Sequence, residues 1–527
     1  MELEIILAVL MFVTAIGALL SGYPVALTLG GVALLYALIG IGLGVFPEPM
    51  LLSLPSRIQG GSIMQNETLI AVPLFIIMGV ILERSRVAED LLHIASRLLG
   101  KVRGGLGYAV VLVGALLAAS TGIVGATVIT MTLIALPTML KQKYDPRLAT
   151  GTIAASGTLG QIIPPSIVLI LLADAVSNAA SQAASQMGSG ASFVVSVGDL
   201  FAGALIPGVM LVGLYLAYIA LTAIFRPSAC PPVEEDDDTA PLTSMEIVFG
   251  LGAPLFLIIA VLGAILTGIA PPTQAASIGA AGAILLAGLR LSDERHKTLR
   301  LSIFAGLASI FVIIILRNSL DLRMGVEHIT TVNLIGMIVT LIASFAFLGG
   351  IVSGMLVLHA NDQLLPALKS AVEITSMVFL ILIGASLFSL VFRGFGGDDL
   401  VHELLSATPG GKWGALIIAM LVMFVLGFFL DFIEIVFVVV PLVTPTLIIA
   451  GFDPVWLGIL MALNLQTSFL TPPFGFALFY LRGSAPPEVR TLDIWQGALP
   501  YIGLQILMIA LVASIPALAT WLPALTR

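Results

Sequence analysis

One window of this chain occurs twice. Residues 120–166, STGIVGATVITMTLIALPTMLKQKYDPRLATGTIAASGTLGQIIPPS, meet a second copy without a gap when the sequence is shifted by 308 positions. Pro137-Thr138 then falls on Pro445-Thr446, Asp145-Pro146 on Asp453-Pro454, Ala154 on Ala462 and Pro164-Pro165 on Pro472-Pro473. The chain has only 29 prolines in 527 residues, so four prolines meeting four in one window marks a repeat. A fold for this sequence must therefore hold two related halves. Each half contains an apolar helical pair around a tip, a turn, and a helix interrupted by small polar residues before a Pro-Pro pair, where proline removes a backbone donor and ends the break.

The solvent for most of the chain is lipid. Hydrophobic residues make up 59% and charged residues 10%, with a mean hydropathy of +1.13, far outside the range of soluble domains. Apolar runs recur from end to end, each of about the 20 residues that cross a hydrocarbon core as a helix, and the period-two alternation of a membrane β-barrel is missing. The net charge of -8 gives no basic surface for nucleic acid. Cys230 is the one cysteine and lies in a polar linker, which excludes a disulfide and a thiolate metal site. The start MELEIILAVL lacks a basic n-region and reads as a first spanning helix and not a removed signal.

These runs predict an all-α polytopic membrane protein with about 12 full spans and two re-entrant hairpins. The first half, 1–225, holds an arm helix at 84–104, a hairpin at 105–140, a broken helix at 148–172, a polar outside loop at about 175–197 and a helix at 199–225. Leu91, Leu92, Ile94, Ala95, Leu98 and Leu99 line one face of the arm, and its basic residues place it in the cytoplasm. The hairpin tip at Ser120-Thr121-Gly122 has no charge to mark an aqueous loop, so it is read as stopping inside the membrane, where protein or a water-filled cavity must surround it. An acidic, proline-rich linker at 226–245 is expected to be disordered and cytoplasmic. The second half, 246–527, contains helices at about 246–268 and 272–290, a two-helix insert at about 299–360, a helix at 371–392, a hairpin at 413–450 in two limbs, 413–429 and 433–450, a broken helix at 454–481 and a last helix at 496–523. Seven crossings separate the hairpin bases. Seven is odd, so the first hairpin opens inward and the second outward: an inverted-topology repeat, with both termini in the periplasm.

Inverted repeats with discontinuous helices meeting at the midplane mark transporters, because broken helices leave unpaired backbone groups and partial charges facing the centre. The candidate ion and substrate residues of the first half are Ser120, Thr121, Gly122 and Gly125 at the tip, with Ser156, Gly157, Thr158, Gly160 and Gln161 at the break. In the second half they are Asp431 and Glu434 beside the tip, with Asn464, Gln466, Thr467, Ser468 and Thr471 at the break. Hydroxyl and carbonyl oxygens suit a hard alkali cation, so two sodium sites are expected. Small residues at helix contacts also serve as packing devices, the two Pro-Pro pairs have a structural reading as breaks, and Asp431 and Glu434 serve either the ion or the bracing of the hairpin. His93, His296, His328, His359 and His402 fall in arms, loops or helix ends. No phosphate loop, HExxH, GxSxG or Cys cluster suggests an enzyme, and no other cofactor is expected.

At ALPTMLKQKYDPRLATG followed by ASGTLGQIIPPSIVLILL, and at LNLQTSFLTPPFGFALFYL, the chain resembles the large membrane subunit of tripartite ATP-independent periplasmic (TRAP) transporters. The resemblance covers nearly the whole chain apart from the linker and insert. It implies a permease of the bacterial inner membrane that imports an organic acid, usually with sodium, by an elevator motion of hairpins and broken helices. It also implies two partners, a small four-helix membrane subunit and a periplasmic solute-binding protein. A stand-alone sodium/dicarboxylate carrier of related architecture and a non-transporting membrane scaffold are the competing readings.

Overall fold

The computed structural model describes residues 2–60, 63–85, 87–188, 195–233, 243–320 and 331–526. Every regular element among them is helical. α1 (Glu2–Leu20) and α2 (Val25–Gly42) lead to two short helices, α3 (Glu48–Leu52) and α4 (Leu54–Gln59). α5 (Glu67–Arg84) starts where the Asn66 side chain accepts from the Thr68 amide, and the amphipathic arm α6 (Val87–Leu99) follows. α7 (Gly105–Thr121) and α8 (Val124–Lys141) form a hairpin, with Gly122 between them in the left-handed region at φ +62°. A side chain there would be strained, and its Cβ would lie 3.0 Å from the Ile167 amide nitrogen.

α9 (Pro146–Thr158) begins with Asp145 as N-cap and proline at the first helical position. It tightens to a 3-10 turn at Leu159–Gln161, breaks, and resumes as α10 (Ile167–Gln186). The polar loop expected from 175 is helical as far as Gln186, because ADAVSNAASQAASQ is alanine-rich and alanine is the strongest helix former. α11 (Val197–Phe225) opens with a Ser196/Asp199 capping box. After a 3-10 turn at Pro227–Ala229, Cys230 is fully buried and not exposed in a linker. The Gly104, Asp145 and Val233 amides bond to the carbonyls of Cys230, Ala229 and Gly100, which straps this segment to the hairpin base. The acidic run at 234–242, on which the expectation of disorder mostly rested, and His328 lie outside the described residues.

α12 (Ser244–Ile247) passes through a π turn into α13 (Ala253–Leu266), followed by α14 (Pro272–Leu291), α15 (Lys297–Ser319), α16 (Thr331–Ala360) and α17 (Leu364–Gly394). α15 and α16 occupy the stretch expected to be a two-helix insert. They meet through Gly306 and Gly350, close enough that a Cβ on Gly306 would lie 3.0 Å from the Gly350 Cα, while Phe311, Ile315, Ile338 and Phe345 point outward. Outward apolar side chains with small residues between helices are what lipid solvation selects. The short arm α18 (Gly397–Ser406) precedes a second hairpin, α19 (Gly411–Leu426) with α20 (Phe432–Val438) and α21 (Val440–Ile449). Its second limb is not one helix: α20 and α21 are bent by 53°, where Pro441 in the first turn of α21 removes a backbone donor. α22 (Pro454–Leu470) breaks and resumes as α23 (Phe476–Ser484). The expected last helix is two, α24 (Thr491–Ser514) and α25 (Ala517–Thr526), divided at Ile515-Pro516.

Ten helices among the described residues are long and apolar enough to cross a membrane, or up to 12 if each bent pair is one span. The chain is a multi-pass membrane protein. Its most enclosed elements are the two interrupted ones: every residue of α22 and every residue from Leu148 to Thr158 in α9 is buried. α24 lies directly on α9 because Gly151 and Gly497 face each other with no room for a side chain on either. Shifting the first half by 308 residues carries the start of α8 onto α20 and the start of α9 onto α22.

Candidate functional site

Three pairs of helix ends meet inside the bundle. In the first half the C-terminal ends of α7 and α9 converge: Gly160 lies so close to α7 that a Cβ would be 2.9 Å from the Ala118 carbonyl oxygen. The N-terminal ends of α8 and α10 meet on the other side of Gly122. In the second half Gly427, at the end of α19, packs on Ser468 near the end of α22 with no space for a Cβ. C-terminal ends carry partial negative charge and favour cations, whereas N-terminal ends favour anions.

The hydroxyls at the breaks are oriented by the backbone. Ser156 donates to the Thr152 carbonyl at 2.6 Å and Thr158 to Ala155 at 2.8 Å. In the second half Thr467 donates to Leu463, Ser468 to Leu465 and Thr471 to Thr467, at 2.7–2.8 Å. Each proton is thus committed to a carbonyl, and the oxygen lone pairs are left to accept or to ligate. Thr158 is the crossing point. Its oxygen accepts from Gln466 at 3.4 Å and from Gln505 at 3.3 Å. Thr158 and Gln466 are separated by the 308-residue shift, so equivalent positions of the two windows touch.

Three amides around this point keep an orphan oxygen. Gln161 is fully buried and, among the described residues, neither its oxygen nor its nitrogen has a partner, and the oxygens of Gln466 and Gln505 have none. Unpaired buried amides are uncommon and costly. Amide oxygens facing inward without donors are suited to a cation or an ordered water.

The remaining candidates have more local roles. Gly157 admits Val128 of α8 against α9, and Gly125 faces the Tyr480 ring of α23, 2.8 Å from where its Cβ would stand. Asn464 donates to the Met420 carbonyl at 2.8 Å and ties α22 to α19. Asp431 caps α20: its side chain accepts from the Phe432 amide at 2.8 Å, while Glu434 accepts from the Asp431 amide at 2.9 Å. Both carboxylates thus hold a reciprocal capping box at the second tip. Pro164-Pro165 and Pro472-Pro473 sit in the breaks, each joined by a cis bond. The side chains of Ser120 and Thr121 lie outside the described residues; their backbones form the last turn of α7.

Sequence reasoning passed over the residues that enclose Thr158. Gln505 of α24 also donates to the Tyr215 hydroxyl at 2.8 Å, and the Thr152 and Tyr501 hydroxyls are 2.6 Å apart. Tyr215 and Tyr501 are fully buried and meet edge to face at 5.0 Å. A lone glutamine in YIGLQILMIALV was the available signal.

The fold and the paired breaks define a polytopic helical membrane protein of transporter type. Residues 9–518 match the family described as "Tripartite ATP-independent periplasmic transporter, DctM component", and the chain belongs to that family. The C4-dicarboxylate TRAP transporter large permease protein DctM of Vibrio cholerae is 26% identical over 516 residues, covering 98% of this chain and 97% of that protein. Its counterpart in Rhodobacter capsulatus is 27% identical, with 98% of each chain covered. The ectoine permease TeaC of Halomonas elongata is 25% identical, with 97% and 98% covered. In solved structures, the YdaH transporter of Alcanivorax borkumensis has a similar fold, with a TM-score of 0.52 at 16% identity over 89% of this chain and 87% of that one. Relatives with this architecture are permeases, and the chain is not an enzyme.

Proposed function

We propose that this permease imports an organic acid across the bacterial inner membrane, drawing on an inward sodium gradient. The observation that carries this reading is the meeting of Thr158, Gln466 and Gln505 between two interrupted helices, with orphan amide oxygens and convergent C-terminal helix ends beside them. Hard oxygen donors and negative dipole ends are the ingredients of a sodium site in discontinuous helices. The N-terminal ends that meet beside Gly122 suit a carboxylate.

In this reading the two halves form an inverted repeat, the hairpins are re-entrant, and they move as a body with α9, α10, α22 and α23 against a scaffold of the other helices. The basic residues of the 84–104 arm, of the 141–147 turn and of the 290–300 connection set that end in the cytoplasm. The termini, α3, α4 and α18 then lie on the periplasmic side. Relatives named as permeases for C4-dicarboxylate, sialic acid and ectoine support a small polar solute, in most cases a carboxylate. The tripartite family supports a periplasmic binding protein and a small membrane subunit as partners.

Uptake into proteoliposomes holding the chain and its small subunit tests this, with binding protein outside and labelled organic acids offered under a sodium or a matched potassium gradient. Uptake requiring both sodium and the binding protein is the expected result. Sodium-driven uptake without the binding protein would identify a stand-alone carrier, and uptake indifferent to sodium would remove the ion sites.

A further inference from the structure

A cavity of about 300 Å³ opens at the end of the bundle that carries α3 and α4, between α10 with the second hairpin on one wall and α4 with α17 on the other. Arg57, Arg393, Asp174, Asn178 and Ser389 are among the residues lining it. On the orientation argued above this is the periplasmic end, where the positive-inside rule explains no cluster of cations. Two guanidiniums nevertheless converge on one cavity, from positions 336 residues apart in sequence.

The two are not equivalent. Arg393 is balanced: it stands 3.2 Å from the Asp398 carboxylate and donates to the Gln182 side-chain oxygen at 2.8 Å. Arg57 has no side-chain partner among the described residues. Burial, and then the positive charge of Arg393, pull its pKa below the ordinary arginine value. Asp174, on the facing wall, accepts from Asn66 at 2.6 Å and from Asn178 at 3.2 Å.

We infer that this cavity is a reception site for the carboxylate of a small monoanionic acid, with Arg57 as the group that captures it. A guanidinium offers parallel donors that match a carboxylate. Only one guanidinium is uncompensated, so a second carboxylate on the same molecule would meet no free cation and would face Asp174. The cavity at the opposite end is different in charge. It is lined by Glu83, Arg84 and Glu89, and it takes Ile129 and Leu133 at the places where the first takes Phe437 and Pro441. An anion is thus attracted on one side and not retained on the other. This assignment rests on the reading of the chain as an organic-acid importer.

Protection of Arg57 from phenylglyoxal, read by peptide mass spectrometry on the full chain with its small subunit, tests it. Gluconate should slow modification of Arg57 by roughly tenfold, the effect of a charge-assisted hydrogen-bonded pair. Succinate should protect no better, and exposed Arg317 should respond to neither. In Asp398→Asn, which frees Arg393, succinate should become the stronger protector. Arg57→Gln should raise KM for uptake roughly tenfold while sodium half-saturation stays in place, which reads the same assignment if Asp398→Asn does not fold. Arg57 reactivity indifferent to both acids, in a preparation that transports an organic acid with sodium, overturns the cavity assignment and leaves the importer reading standing. No protection together with no organic-acid uptake overturns both.

Discussion

At the first interruption Gln161 is buried with neither amide atom partnered among the described residues; 308 residues later the same place holds Phe469, whose ring lies 5.2 Å from that of Phe476. The hairpins differ in the opposite sense. Asp431 and Glu434 brace the second tip, where the corresponding places in the first are Ile123 and Ala126. The helices respond to these sequences. Gly157 and Gly160 help to tighten α9 into a 3-10 turn, whereas α22 stays α-helical through Leu470. One backbone plan has thus been given an uncharged, unsatisfied break in one half and a charged, satisfied tip in the other. Under the proposed sodium coupling, the two centres have no reason to bind with equal strength.

Exchanging their contents should break this asymmetry, with the largest effect at Phe469. Phe469→Gln removes a packed ring and buries an amide without a partner, which should cost about 3–5 kcal/mol and lower the thermal midpoint of the purified protein. An unchanged midpoint would mean that the second break already admits water. Gln161→Leu should behave in reverse: stability within about 1 kcal/mol of the parent, because no hydrogen bond is lost, but sodium-driven uptake reduced by about tenfold. Full uptake in that variant would reduce Gln161 to a packing residue. Asp431→Asn keeps a good helix cap and removes the charge. It should raise the sodium concentration for half-maximal uptake a few-fold, by about 1 kcal/mol of lost electrostatic support, at unchanged folded yield; an unmoved sodium dependence would confine Asp431 to the capping box. Phe311→Leu, on the outward face of α15, should change the stability by no more than about 0.5 kcal/mol and leave uptake alone. A larger effect would show that a protein surface covers α15.

Much of the backbone was legible because lipid imposes long apolar runs and because proline and glycine punctuate them. The first tip and both breaks follow from Gly122, Pro164-Pro165 and Pro472-Pro473, and the arm from the apolar stripe Leu91, Leu92, Ile94, Ala95, Leu98 and Leu99. Less visible were features decided by single residues within apolar sequence, such as the bend before Pro441 and the division of the last helix at Pro516. The alanine-rich end of α10 was mistaken for a loop because its serines and glutamines outweighed its helix propensity. The candidate site was legible only along the chain. Thr158 and Gln466 could be singled out locally, but Gln505 joins them through the packing of Gly151 on Gly497, and Arg57 faces Arg393 through tertiary folding alone.

Cys230 has a practical consequence. The strap that holds it between the hairpin base and the arm removes the chain's only sulfhydryl from water, and burial pushes its pKa up. Since the thiolate is the reactive form, the protein behaves toward maleimide dyes almost as a cysteine-free background. Cysteine pairs can then be introduced on α10 and α17 and labelled without first replacing Cys230, and any rearrangement between them followed one molecule at a time.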